Sequence, residues 1–282
     1  MPVLLALITS ALWGTSDFFG GLATRREPVA RVMLWAHGLG LVAIGSLAPF
    51  LADTVTWRDL ALGACSGVVG LVGLLLLYTG LSRGPMAVVA PLSAVTAALV
   101  PVLWGLRSDD PLSGTTTIGL LVGLAAVIAI SWEGNLDPDG PAITPRVIGE
   151  AVIAGACFGS IVLLYDSTSE GSAPWPIVSG RVVTTGLLLM FALAFRKPVS
   201  PGTSLRFAAL AGIGDTFANV TLLLAASAAA GSSELSVVAV LSAFFPAATV
   251  LWARFMLHER LGPVRIGGLG LGLAAIALMT LG

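Results

Sequence analysis

Long apolar runs separated by short polar breaks dominate this sequence, and each run has the length of a membrane-crossing helix, which needs about 20 apolar residues. Ten spans are predicted, over residues 2–23, 29–51, 59–81, 86–106, 113–132, 147–167, 175–195, 205–229, 234–256 and 262–281. The longest polar break, residues 133–146 (EGNLDPDGPAITPR), separates span five from span six. Loops this short leave no room for a soluble domain.

The apolar pattern repeats itself. Val88-Val89-Ala90-Pro91-Leu92-Ser93-Ala94 aligns with Val237-Val238-Ala239-Val240-Leu241-Ser242-Ala243 at an offset of 149 positions. The same offset carries Gly63 onto Gly212, Leu112 onto Leu261, and Gly119 and Gly123 onto Gly268 and Gly272. One register held across three segments predicts a duplication: residues 1–132 form a first five-helix unit, 133–146 a connecting loop, and 147–282 a second unit. A unit with an odd number of spans returns to the membrane upside down. The expected fold is therefore all-α, ten transmembrane helices as two inverted five-helix repeats.

Composition agrees: 56% of the residues are hydrophobic, 10% are charged and mean hydropathy is +0.97. Soluble domains carry about 25% charged residues. The net charge of −1, without basic clusters, excludes nucleic acid as a partner. Cys65 and Cys157 lie in apolar segments and make no disulfide framework. The first apolar run lacks a basic leader and a convincing cleavage site, and is expected to be a retained span.

Charge also orients the chain. Arg25, Arg26, Arg83, Arg146, Arg196, Lys197, Arg206, Arg254, Arg260 and Arg265 fall in the odd-numbered loops, whereas only Arg58 and Arg107 fall on the other side. By the positive-inside rule the odd loops face the cytoplasm and both termini face outward. The expected location is the plasma (inner) membrane.

Polar groups at membrane depth cost at least about 2.5 kcal/mol for a central Asp, Lys or Arg, so they are informative. Asp215 lies in the middle of span eight with Asn219 one turn later on the same face. It either lines a cavity and handles a cationic substrate group or a proton, or it is a structural carboxylate that holds Arg181. Asp17 lies about 9 Å from the end of span one, in a stripe of Ser10, Trp13, Asp17 and Gly20. The stripe suits a cavity wall or a helix contact. Arg181, inside span seven, either pairs with a carboxylate in the membrane or meets the carboxylate of a substrate; Arg31 is expected to snorkel. Tyr78, Tyr165, Trp104 and Trp252 read as interfacial anchors or packing residues, and Glu150 and Asp166 as solvated ends of span six. The GxxxG pairs Gly63/Gly67, Gly119/Gly123 and Gly268/Gly272 predict close packing inside one bundle. Pro91, Pro101 and Pro246 mark hinges or fixed kinks.

No motif for catalysis is present: only His37 and His258 occur, without HExxH, GxSxG or a P-loop. Asp109-Asp110 and Asp137-Pro138-Asp139 read as solvated charge rather than metal ligands. The chain is expected not to be an enzyme and to need no cofactor or metal.

Trp13-Gly14, Gly214-Asp215 with Asn219, Pro246, and Glu259-Arg260-Leu261 followed by Gly267-Gly268 resemble, across the whole chain, the EamA-type transporters of the drug/metabolite transporter superfamily. Where many relatives carry Ser-Leu-Tyr-Pro this chain reads Ala243-Phe244-Phe245-Pro246, which removes a hydroxyl, and Asp109-Asp110-Pro111-Leu112 lacks the basic residue of its counterpart. The resemblance implies secondary transport, often export of amino acids or related metabolites, through a cavity between the halves. Asp215, Asn219, Asp17, Trp13, Arg181 and Ser242 are the expected substrate-binding residues. Expected partners are a small-molecule substrate, a proton as candidate coupling ion, and the lipid bilayer, with a monomer or homodimer as the assembly. One rival is a proton-coupled exporter of lipophilic cationic drugs, with Asp17, Trp13 and Phe18 as its cation site and Arg181 counting against it. Another is a membrane scaffold protein that transports nothing.

Overall fold

The computed structural model describes residues 1–51, 54–83, 86–105, 112–131, 142–230, 232, 234–258 and 262–281, and among them every regular element is a helix. In chain order these are α1 (Pro2–Thr24), α2 (Val29–Leu51), α3 (Trp57–Arg83), α4 (Met86–Gly105), α5 (Gly114–Ser131), α6 (Pro145–Asp166), α7 (Trp175–Ala194), α8 (Leu205–Ala228), α9 (Glu234–Ser242), α10 (Phe245–Met256) and α11 (Pro263–Leu281). Nine spans among the described residues are long and apolar enough to cross a membrane, with α9 and α10 together making one of them, and α4 contributes a shorter apolar stretch, Leu92–Gly105.

Proline sets several boundaries. It occupies the first or second position of α1, α6, α7 and α10, where the missing N–H would have had no helical acceptor. Thr144 adds a side-chain cap to α6, accepting the Val147 N–H at 3.3 Å. Helix α4 runs on through Pro91 and Pro101, whereas span nine breaks at Ala243–Phe244, ahead of Pro246. Residue 246 has no N–H to offer the Ser242 carbonyl, so the ladder loses that hydrogen bond where the helix breaks. One predicted span is thus two half-helices that meet in the middle of the bundle.

Helix α1 packs on α8 and α10, α6 on α3 and α4, α2 on α7 and α8, α3 on α7, α4 on α9, and α5 on α11. Glycines set the closest approaches. A Cβ at Gly212 would overlap the Ala36 backbone of α2, and one at Gly67 would meet the Gly180 backbone of α7 at under 3.0 Å. The predicted GxxxG pairs do pack within the chain: Gly119 faces Met279 and Gly268 faces Ala129 and Ile130, which zips α5 to α11. Leu75, Leu121, Val182 and Met190 on the outside are exposed, as suits contact with lipid tails.

Polar ties hold matched ends together. At one end, Glu27 between α1 and α2 accepts the Thr203 N–H at 2.9 Å and pairs with Arg31. Arg31 therefore has a protein partner where snorkelling was expected. At that same end of the bundle, given the alternating spans, Glu150 of α6 accepts from Arg83 and Arg146. Glu150 is only 9% exposed, a correction to its expected solvation: both arginines converge on one of its oxygens, and the surrounding helices exclude water. At the opposite end, Asp59 caps α3 through the Thr56 N–H and also accepts the Ser169 N–H at 2.8 Å. Asp109-Asp110, Asp137, Asp139, Arg107, Glu259-Arg260-Leu261 and most of residues 133–146 lie outside the described residues, as do the side chains of Tyr78 and Pro91.

Candidate functional site

A cavity of about 260 Å³ opens in the middle of the bundle, and α1, α2, α3, α4, α6, α7, α8 and the α9–α10 break all contribute to its wall. Trp13, Asp17, Arg181, Asp215, Asn219 and Ser242 all lie on that wall. Six residues spread over more than 220 positions of sequence share one space because each faces inward from the interior of its helix or, for Ser242, from the break in span nine.

Most of the polar groups form one network. Arg181 Nη2 donates to Asp215 Oδ2, while Asp215 Oδ1 accepts from Trp13 Nε1 at 3.1 Å and from Asn219 Nδ2 at 3.2 Å. The Tyr165 hydroxyl donates to Asn219 Oδ1 at 3.2 Å. Arg181 Nη1 lies 3.2 Å from His37 Nδ1, which is also 2.8 Å from the Thr184 hydroxyl. Arginine has only donors, so His37 meets it with a lone pair and is neutral in this arrangement. The pairing explains how an arginine 6% exposed is tolerated at this depth: its charge is met by Asp215 and its second nitrogen by imidazole. Of the two partners foreseen for Arg181, the intramembrane carboxylate is the one it holds.

Two polar groups on the wall are left without a partner. Asp17 is exposed to the cavity space and has no hydrogen-bond or ion-pair partner among the described residues. The Ser242 hydroxyl is buried and likewise without a partner, at the C-terminal end of half-helix α9. Ser66, which donates to the Gly63 carbonyl at 2.7 Å, and Ser93 also line the wall, and the remainder is largely apolar, with Leu71, Leu74, Leu77, Phe158 and Ile161 prominent.

Of its two expected roles, Tyr165 takes packing and not interfacial anchoring: it is 4% exposed and holds Asn219 in place. One expectation needs correction. Phe18 is not beside Asp17 on the cavity; it is turned into an aromatic cluster, stacked on Trp252 at 6.1 Å. Successive helix positions point about 100° apart, so Phe18 leaves the face that Asp17 occupies. Trp252 packs as expected, donating to Thr15 at 2.8 Å. His37 and Thr184 were overlooked, since a lone polar residue in an apolar helix has no partner visible in sequence.

The sequence profile of the EamA-like transporter family matches residues 1–132 and again residues 147–281. The uncharacterized protein MJ1333.1 of Methanocaldococcus jannaschii is 25% identical over 130 residues, which is 46% of this chain and 95% of that protein. A protein of known crystal structure shares the fold, with a TM-score of 0.76 over 99% of this chain and 96% of its own, at 19% identity. The chain belongs to the EamA-like transporter family, a family of membrane transporters and not of enzymes.

Proposed function

We propose that this transporter moves a small polar metabolite, such as an amino acid, out of the cell by alternating access through the central cavity. The observation that carries the reading is the cavity itself: a charged and hydrogen-bonded network at mid-membrane depth, beside a broken helix. Half-helices that meet at the midplane are the usual means by which secondary transporters present polar groups to a solute. Asp215, Asn219, Asp17, Trp13, Arg181 and Ser242 are the proposed substrate-facing residues, and a proton is the proposed coupling ion.

The inverted repeat, with units at 1–132 and 147–282 and a loop between, belongs to the same proposal. The family profile matches twice, and the archaeal relative is about one unit long. Exchanging α1, α2, α3, α4 and α5 with α6, α7, α8, the α9–α10 pair and α11 maps the helix contacts onto one another: α1–α8 onto α6–α3, α2–α8 onto α7–α3, α4–α6 onto α10–α1. The cationic loops support an orientation with both termini outward in the plasma (inner) membrane.

Among the described residues nothing favours the scaffold alternative. The cation-exporter alternative gains one: Arg181 is neutralised by Asp215, so it no longer argues against a positively charged solute. Uptake of radiolabelled amino acids and amines into proteoliposomes, with and without an imposed pH gradient, tests the reading. Saturable, gradient-dependent flux supports it; its absence for every solute removes it.

A further inference from the structure

We infer that the cavity recognises its solute through an ammonium group and not through a carboxylate, which points to small primary amines with a short apolar body as the substrate class. The inference takes the transport reading as its premise that the cavity is a solute site.

Most polar atoms on the wall are already engaged by other groups of the protein. Both oxygens of Asp215 accept from protein donors, both terminal nitrogens of Arg181 are committed, and Asn219 is held by its donation to Asp215 and by Tyr165. The groups left over are the Asp17 carboxylate and the Ser242 hydroxyl. The Ser242 carbonyl adds a further acceptor, because position 246 is proline and has no N–H to return. It lies at the C-terminal end of α9, the negative end of that half-helix dipole. With Arg181 and Asp215 paired with each other and His37 neutral, Asp17 is a surplus carboxylate on the wall, with no cation beside it.

An ammonium group answers that surplus. A carboxylate would face Asp17 and find no free cation, since Arg181 could turn to it only by abandoning Asp215 at membrane depth. The apolar side of the wall, Leu71, Leu74, Leu77, Phe158 and Ile161, accepts a small hydrocarbon body. The volume of about 260 Å³ is at the small end for ligand cavities, which start at about 300 Å³, so the body must be short.

Three molecules of one skeleton separate the possibilities: 3-methylbutylamine, leucine and 4-methylpentanoate, measured by calorimetric binding to the purified full chain in detergent micelles. The amine should bind tightest, leucine next and the acid weakest. A charge-assisted hydrogen bond is worth about 1.5–3 kcal/mol, so Asp17→Asn should weaken amine binding by about ten- to a hundred-fold. Asp17→Glu should restore most of it. An acid that binds as tightly as the amine overturns the inference, as does amine binding indifferent to Asp17→Asn, or no binding by any of the three. If Asp17→Asn does not fold, the ranking of the three probes on the unaltered protein decides alone. Flux in proteoliposomes is read separately. An amine that binds but is never carried keeps this inference and removes the transport reading, whereas carriage of leucine or the acid without amine binding does the reverse.

Discussion

Arg181 of α7 and Asp215 of α8 meet as an ion pair on the wall of the cavity, with the arginine side chain 7% exposed and the aspartate side chain 34% exposed. Removing one partner leaves the other charge stranded. A fully buried pair broken this way loses about 3–5 kcal/mol, and the partial exposure of Asp215 should reduce that to about 2 kcal/mol. Asp215→Asn and Arg181→Gln should each lower the unfolding temperature in detergent, and the double variant should recover part of the loss. A double variant whose loss equals the sum of the two singles would show that the charges are not coupled.

The closest helix approach gives a second expectation. Gly212→Val drives a side chain into the Ala36 backbone of α2, which cannot swing aside as a flexible side chain would. Overpacking of this kind costs about 1–3 kcal/mol or more, and the variant should elute from size exclusion largely as aggregate. Gly270→Ala, whose Cβ would meet nothing within 4 Å, serves as the control and should remain monodisperse.

Glu27 supplies a pH dependence. Burial works to raise its pKa, but the Thr203 N–H and hydroxyl and the Arg31 guanidinium outweigh that and hold the carboxyl below its ordinary value. A depressed folded-state pKa means that the stabilisation is present above the unfolded value, about 4.3, and is lost as pH falls through the lower folded value. Melting temperature should therefore drop on acidification below about pH 4, with a smaller drop for Glu27→Gln. Identical acid profiles for the two proteins would count against the Glu27–Thr203 tie.

Orientation is tested with reporters that are active only outside the cytoplasm. A fusion after Gly282 should be active and one at Gly202 silent. The opposite result reverses the chain in the membrane while leaving the repeat intact, because inverted units look alike from either side.

The spans and the GxxxG contacts were legible in sequence because lipid imposes a length and a hydrophobicity that composition records directly. Asp215, Asn219, Trp13 and Arg181 stood out for the same reason, being polar where polarity is costly. Pairing was legible only as an alternative: Asp215 holding Arg181 stood beside a substrate-handling role, and nothing in the spacing of two residues on consecutive helices chose between them. For Tyr165 the choice between anchor and packing residue stayed open, because its place near the end of a span suits an anchor, whereas the packing of α6 on α3 and α4 encloses it. Glu150 was misread as solvated, since its partner Arg83 comes from another helix.

Pro246 tests whether the break in span nine moves. The proline leaves the Ser242 carbonyl without a helical donor and separates α9 from α10 at mid-membrane, beside the cavity. Pro246→Ala returns an N–H to that position. A backbone hydrogen bond re-formed there is worth about 0.5–1.5 kcal/mol and would favour one straight helix over two half-helices. If the break is a hinge used in each cycle, the variant should melt at the same temperature or higher and transport more slowly, because straightening the span removes a conformation the cycle visits. If the break is a fixed kink, surrounding packing holds the bend regardless of the residue, and transport should continue at the original rate. Unfolding temperature and initial flux, measured on the same preparation, distinguish the two: slower flux in a protein at least as stable identifies the hinge, and unchanged flux excludes it.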